Sequence, residues 1–209
     1  MGLKERKHRE REERKKQILD AARQLLFQKG LNGTSIKQIA KIAELGVGTI
    51  YFYYDSKEEV FVALQEEGLK ILHEKIKAAC DDSLNPEIRL KNMAHAYLTF
   101  SEENKNYFDV INHFLSSPDM MFAPNLKEQM DQHGNNILAY IEHTIADGTQ
   151  VGLFKKVDLR RYSLTLWATL HGLIQFKKLQ NTILRGDNHR QLIDFAIHQF
   201  IQNLKLRRE

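Results

Sequence analysis

Three prolines and eleven glycines in 209 residues leave long stretches of this chain with nothing to break a helix or form a tight turn. An all-β fold places a turn roughly every ten residues and needs more punctuation than that. The apolar residues recur instead at helical spacing, as in Ile18, Ala22, Leu25 and Leu26. The pattern predicts an all-α protein of about nine helices. With 42% apolar and 28% charged residues, the composition suits one or two soluble globular domains. The longest uncharged apolar run, Tyr162 to Phe176, falls short of the roughly 20 residues that cross a bilayer, and the N-terminus is charged rather than signal-like. A cytoplasmic location is the resulting expectation. The single cysteine, Cys80, excludes an internal disulfide and every zinc site built on two or more thiolates.

The net charge of +4 is unevenly spread. Residues 1–57 hold 13 lysines and arginines against 7 acids, whereas residues 58–209 hold 18 against 20. A basic end on a near-neutral body fits a polyanion such as DNA, RNA or an acidic membrane surface, and it also fits a solvated tail. Residues 4–16 carry eight basic and four acidic side chains. Such a segment could follow a phosphate backbone or place an arm in a minor groove, and a frayed, solvated extension has the same composition. Residues 1–16 lack an apolar face, so no membrane partner is expected.

The first helix is predicted from near Arg9 to Gly30, a residue suited to a left-handed C-cap. Ser35 with Gln38 forms a capping box for a short second helix ending near Ala43. Val47 to Tyr54 leaves room for a third of about two turns before the next capping pair, Ser56 with Glu59. Two short helices joined by a tight turn are the pattern of a helix-turn-helix, whose last helix enters a major groove. Longer helices follow: Ser56 to about Cys80, one from Asn85-Pro86, Tyr107 to Leu115 ended by Ser117-Pro118, Pro124 to Gly148, Asp158 to about Gln180, and one capped by Asn188 with Gln191.

The blocks Ile18-Leu19-Asp20-Ala21-Ala22, Lys29-Gly30, Thr34 to Ala40, and Gly48-Thr49-Ile50-Tyr51-Phe52-Tyr53-Tyr54 with Lys57-Glu58-Glu59 resemble the TetR family of transcriptional repressors over about residues 14–61. The resemblance implies an N-terminal DNA-binding domain over residues 1–56 and a helical ligand-binding and dimerisation domain over 57–209. Three positions depart from the family pattern. Glu44 stands where a glycine commonly turns the chain, Gly46-Val47 replaces a frequent Ser-Lys pair, and Leu26 takes a place often held by Phe. A left-handed Glu44 would cost roughly 1 kcal/mol, and Gly46 as N-cap only a few tenths relative to serine.

The resemblance places Lys37, Thr49, Tyr51, Phe52 and Tyr53 at or near the duplex, with Tyr51, Tyr53 and Lys57 mostly on phosphate. Ser35, Gly48 and Thr49 lie by helix N-termini, whose free N–H groups suit phosphate. Phe52 donates no hydrogen bond and would read a thymine methyl; Tyr51 also fits partial core packing. In the body, Met93, Tyr97, Phe100, Phe108, Ile111, Met130, Ile137 and Tyr140, with Met120, Met121 and Phe122, make a Met- and aromatic-rich set. It suits an adaptable pocket and, residue by residue, plain core. Asn112, His113, Trp167 and His171 are candidates to complete it. Few charges interrupt these faces, so the expected effector is lipophilic: an acyl chain, an acyl-CoA, a fatty acid or a hydrophobic drug.

The stripe along residues 158–180 is too wide for one neighbouring helix. With the last helix, and by the family's two-fold four-helix bundle, it points to a homodimer through Leu166, Leu170, Leu173, Phe195 and Phe200, internal core being the alternative. No phosphate loop, nucleophile elbow or His-Glu-x-x-His occurs, the nine histidines contain no i, i+4 pair, and nothing places a base beside Cys80. No enzyme, metal or cofactor is expected. The expectation is a ligand-responsive repressor on a palindromic double-stranded operator, with a dimeric ligand carrier lacking specific DNA binding as the alternative.

Overall fold

A computed structural model describes residues 2–116, 124–179, 181–182 and 188–206. Nine α-helices and one short 3-10 helix make up the fold among these residues: α1 Leu3–Lys29, α2 Ile36–Ile42, α3 Val47–Tyr53, α4 Lys57–Ala79, α5 Pro86–Glu103, α6 Lys105–Ser116, α7 Pro124–Gln150, α8 Leu159–Phe176 and α9 His189–Leu204. No described helix is long and apolar enough to cross a membrane. The Ser117-Pro118 helix stop, Gln180, Met120, Met121 and Phe122, and the side chain of Met130 lie outside the described residues.

The chain divides into two compact units, residues 1–68 with 104–126, and residues 69–103 with 127–209. In the first, α1 packs on α2 and α2 on α3. Ile18, Ala22, Leu25 and Leu26 of α1, Ile39 of α2 and Ile50 of α3 are buried to within 2% of complete enclosure. This is the helical periodicity of the sequence converted into one core. Leu26, at a position the family often fills with Phe, is part of it. The Arg23 guanidinium is held bidentate on Glu67 at 2.7 and 3.0 Å and reaches Asp20 at 2.7 Å, while the Tyr107 hydroxyl donates to Glu67 at 3.0 Å. That network ties α1, α4 and α6 together, and its hydrogen bonds to Glu67 raise the Arg23 pKa further.

In the second unit α5, α8 and α9 pack against one another. After α7, Phe154 turns back into the core at 1% exposure with its ring pressed on Gly148, where any side chain would collide. The Lys155 N–H donates to the Leu204 carbonyl at 2.8 Å and fixes the end of α9 beside this turn.

Two helix starts and one cap differ from the sequence expectation, α6 beginning at Lys105 rather than Tyr107. α1 begins at Leu3 rather than near Arg9, because its first turns are held by charged pairs that apolar periodicity does not register. At α9, Asn188 caps through the Arg190 N–H at 2.9 Å rather than in a box with Gln191. α8 ends at Phe176, and a single 3-10 turn over Lys177–Leu179 replaces its expected last turn.

Candidate functional site

The helix-turn-helix is built by local chemistry. The Ser35 hydroxyl accepts from the Gln38 N–H, and the Gln38 side chain accepts from the Ser35 N–H at 3.0 Å, so α2 starts at one defined residue. The Gln17 amide donates to the Ala43 carbonyl at 2.8 Å and holds the end of α2 against α1. Glu44 then takes φ +54°, the only left-handed non-glycine among the described residues, and turns the chain where the family commonly uses glycine. Gly46 follows as an N-cap without a side-chain bond. After α3, Ser56 accepts from the Glu59 N–H at 3.1 Å to start α4.

This frame decides which residues of α3 face outward. Ile50 is completely buried, and Tyr54, just past the helix, is 6% exposed, its hydroxyl pKa pushed up by burial. Val47, Gly48, Tyr51 and Phe52 share the open face, with Phe52 at 70% and Tyr51 at 50% exposure. Tyr51 is therefore not a core residue. Thr49 and Tyr53 are half-buried, and the Tyr53 ring meets Phe52 edge-on at 5.1 Å. Lys37 is exposed on α2. Lys57 donates to the Leu31 carbonyl at 3.2 Å and lies 5.2 Å from the Phe61 ring, which leaves two of its three N–H donors available.

Residues 4–16 are helical throughout rather than frayed or extended. A helix with side chains is about 10–12 Å across and the minor groove about 6 Å wide, so these turns do not enter that groove as an arm.

The second unit disperses the other sequence candidates. Met93 and Phe100 of α5 are fully enclosed, while Ile137 and Tyr140 of α7 are half-buried. Phe108 and Ile111 are buried in the first unit, where Asn112 and His113 are half-buried. Tyr97, Trp167 and His171 do come together. Tyr97 and His171 Nδ1 are 2.7 Å apart, Trp167 hydrogen-bonds to Tyr97, and the Trp167 and His171 rings lie 5.9 Å apart. Burial raises the Tyr97 pKa and lowers that of His171, so a Tyr97 hydroxyl donating to a neutral imidazole is the favoured state.

An open cleft of about 630 Å³ lies elsewhere in the second unit, between the end of α4, the start of α5 and α7. Tyr140 lines it, together with His73, Lys77, Cys80, Arg89 and His143, none of which the sequence singled out as a cleft residue. Arg89 is the least foreseeable, because a single arginine on an amphipathic helix reads as solvent-facing. Its side chain is 3% exposed and pairs with Asp147 at 2.6 Å and Asp82 at 2.8 Å. Those partners are 58 and 7 residues away, and no local spacing announces them. No cluster suited to hold a metal occurs among the described residues.

On α8 and α9 the apolar positions split. Leu166 and Leu170 are buried within the chain at 2% and 4% exposure. Leu173 and Phe200 are half-buried, Phe195 is 61% exposed, and Leu164 and Phe176 are open as well. The outward stripe is thus displaced from Leu166 and Leu170.

Residues 18–64 match bacterial regulatory proteins of the tetR family, and residues 90–200 match the tetracyclin repressor-like C-terminal domain. The uncharacterized HTH-type transcriptional regulator YhgD of Bacillus subtilis is 30% identical over 149 residues, covering 70% of this chain and 74% of that protein. A Rhodococcus protein of unknown function has the same fold, with a TM-score of 0.75 at 18% identity over 92% of this chain and 96% of that one. So does the regulator FadR of Bacillus subtilis, solved in complex with stearoyl-CoA, with a TM-score of 0.70 at 18% identity over 90% of this chain and 98% of that one.

Proposed function

The chain belongs to the TetR family of bacterial transcriptional regulators, and from that premise we propose that it is a ligand-responsive repressor acting as a homodimer on a palindromic operator. Residues 1–56 carry the DNA contacts, and residues 57–209 carry the effector site and the dimer contacts. One observation carries this reading: α3 places Val47, Gly48, Tyr51 and Phe52 on one open face while Ile50 anchors the opposite side. Tyr51 and Phe52 leave half or more of their surface in water, and that surface suits base edges and the sugar-phosphate wall. Phe52 meets thymine methyls; Lys37, Tyr51, Tyr53 and Lys57 hold phosphates, with Ser35, Gly48 and Thr49 alongside.

The dimer face runs along the outward side of α8 and α9 through Leu164, Leu173, Phe176, Phe195 and Phe200. Gly172 lies between them with open space where a side chain would stand, which permits close helix approach. Two subunits would set their α3 helices into successive major grooves. The effector is a lipophilic molecule such as an acyl-CoA, a fatty acid or a hydrophobic drug. The apolar interior of the second unit, with Met93, Tyr97 and Phe100 within it, supports this, and so does the stearoyl-CoA bound by the Bacillus subtilis FadR of the same fold. Met93, Tyr97, Phe100, Ile137, Tyr140, Trp167 and His171 are the residues proposed to meet it. Binding shifts α4, which runs from Lys57 to Ala79 and is shared by both units, only if the effector prefers one of two states.

Fluorescence anisotropy with the DNA upstream of the protein's own gene tests the proposal. Binding that survives excess competitor, weakens steeply with salt and is released by long-chain acyl-CoA is expected. Binding that competitor abolishes, on this DNA and on every genomic fragment selected, would overturn it.

A further inference from the structure

α1 begins at Leu3, yet among the described side chains its first buried apolar residue is Ile18, so about four helical turns run ahead of the core. Their charges are sorted. At about 100° per residue, Lys4, Lys7, Arg11, Arg14 and Lys15 fall within about 60° of one line along the helix, and no acid shares that arc. Glu5, Glu10, Glu12 and Glu13 lie outside it, where Arg6 pairs with Glu10 at 2.9 Å and Arg9 with Glu13 at 3.8 Å. Among the described residues no ion pair engages any of the five cations on the basic line; Arg14 donates to Gln17 at 2.7 Å.

The basic line is continuous with the face that buries Ile18, Ala22 and Leu25, the side of α1 that packs on α2. Its orientation is fixed by a second contact: the Arg11 guanidinium lies 5.8 Å over the ring of Tyr53, the last residue of α3. The cationic face therefore overhangs the same side of the unit as α3. Five like charges on one helix face repel, and no acid within the same arc relieves them. The arrangement suits a ligand that is itself a line of negative charge. From Lys4 to Lys15 the ridge is about 16 Å long, the axial rise of about five base pairs.

We propose that the projecting turns of α1 are a second DNA-binding element, a ridge of Lys4, Lys7, Arg11, Arg14 and Lys15 that follows the phosphate backbone and extends the footprint beyond the half-site met by α3. This rests on the DNA-binding reading above. The test compares two charge-matched triple variants of the full chain, Lys4→Gln/Lys7→Gln/Arg11→Gln on the ridge and Arg6→Gln/Arg9→Gln/Lys16→Gln on the other side. Each is titrated over a salt series against the duplex that the wild type selects and against a mixed-sequence duplex, with helicity checked by circular dichroism.

The ridge variant is expected to flatten the dependence of log affinity on log salt by about 0.9 for each phosphate it no longer neutralises, while the control leaves it near wild type. A charge-retaining variant, Lys4→Arg/Lys7→Arg/Arg11→Lys, is expected to keep the wild-type slope. Equal slopes for the two triple variants, beside intact sequence selection, would overturn the ridge and leave the repressor reading standing. A ridge effect on mixed-sequence DNA without any selected site would do the reverse. A wild type that binds neither duplex would overturn both.

Discussion

In the first unit α3 keeps two aromatic side chains in water, whereas α5 and the turn after α7 in the second unit fold theirs away. Phe52 and Tyr51 stand open on α3, whereas Phe100 and Phe154 are almost wholly enclosed and Tyr97 and His171 satisfy each other. Caps and a turn fix the short helices of the first unit, so their outer faces are free of packing duties. The long helices of the second are positioned by the apolar faces they share, so those faces are already committed to packing. Function and stability should therefore separate in the first unit and overlap in the second.

The sharpest break of that contrast is Phe154→Ala. Removing a fully buried phenylalanine is expected to cost about 3–5 kcal/mol in urea or thermal unfolding. A loss under about 1 kcal/mol would mean that the second unit is less tightly committed than argued. Phe52→Ala reverses the pattern. Operator affinity should fall about tenfold, equivalent to about 1.4 kcal/mol, while stability stays within about 0.5 kcal/mol, as anisotropy and thermal melts would report. Unchanged affinity would remove Phe52 from the interface.

A smaller effect is expected from His171. Burial lowers its pKa, so the folded state favours the neutral ring. The stability this contributes is complete above the ordinary histidine value of about 6.5 and is lost as pH falls through that value toward the folded pKa. Melting temperatures between pH 7.5 and 5.5 should thus decline more steeply for the wild type than for His171→Asn; parallel profiles would refute this. The least effect belongs to Glu44→Gly. Relief of the left-handed backbone, partly offset by the greater freedom of glycine in the unfolded chain, should stabilise by about 0.5 kcal/mol in denaturant melts. A destabilised variant would show that the Glu44 side chain contributes more than its backbone costs.

The same division explains what the sequence could convey. Ser35 with Gln38, the turn at Glu44 and the short reach from Val47 to Tyr54 are local signals, and the structure places them as their spacing implies. The early turns of α1 escaped because helices held by charge pairs leave no apolar rhythm. In α8 the apolar stripe was visible, but only the placement of α5 and α9 separates the buried Leu166 and Leu170 from the open Leu164 and Phe176. Arg89 and its partner Asp147, and Tyr97 with His171, are joined by tertiary contact over 58 and 74 residues. No pattern of residue types marks such pairs in advance.

Selection of bound duplexes from a random-sequence pool by the full-length protein tests the central claim most directly. Enrichment of a palindrome with half-sites about one helical turn apart, lost in a Phe52→Ala/Tyr53→Ala variant that still folds, is the result expected. A pool that stays random after repeated rounds, with a folded protein that retains long-chain acyl-CoA, would contradict the account and identify the chain as a ligand carrier.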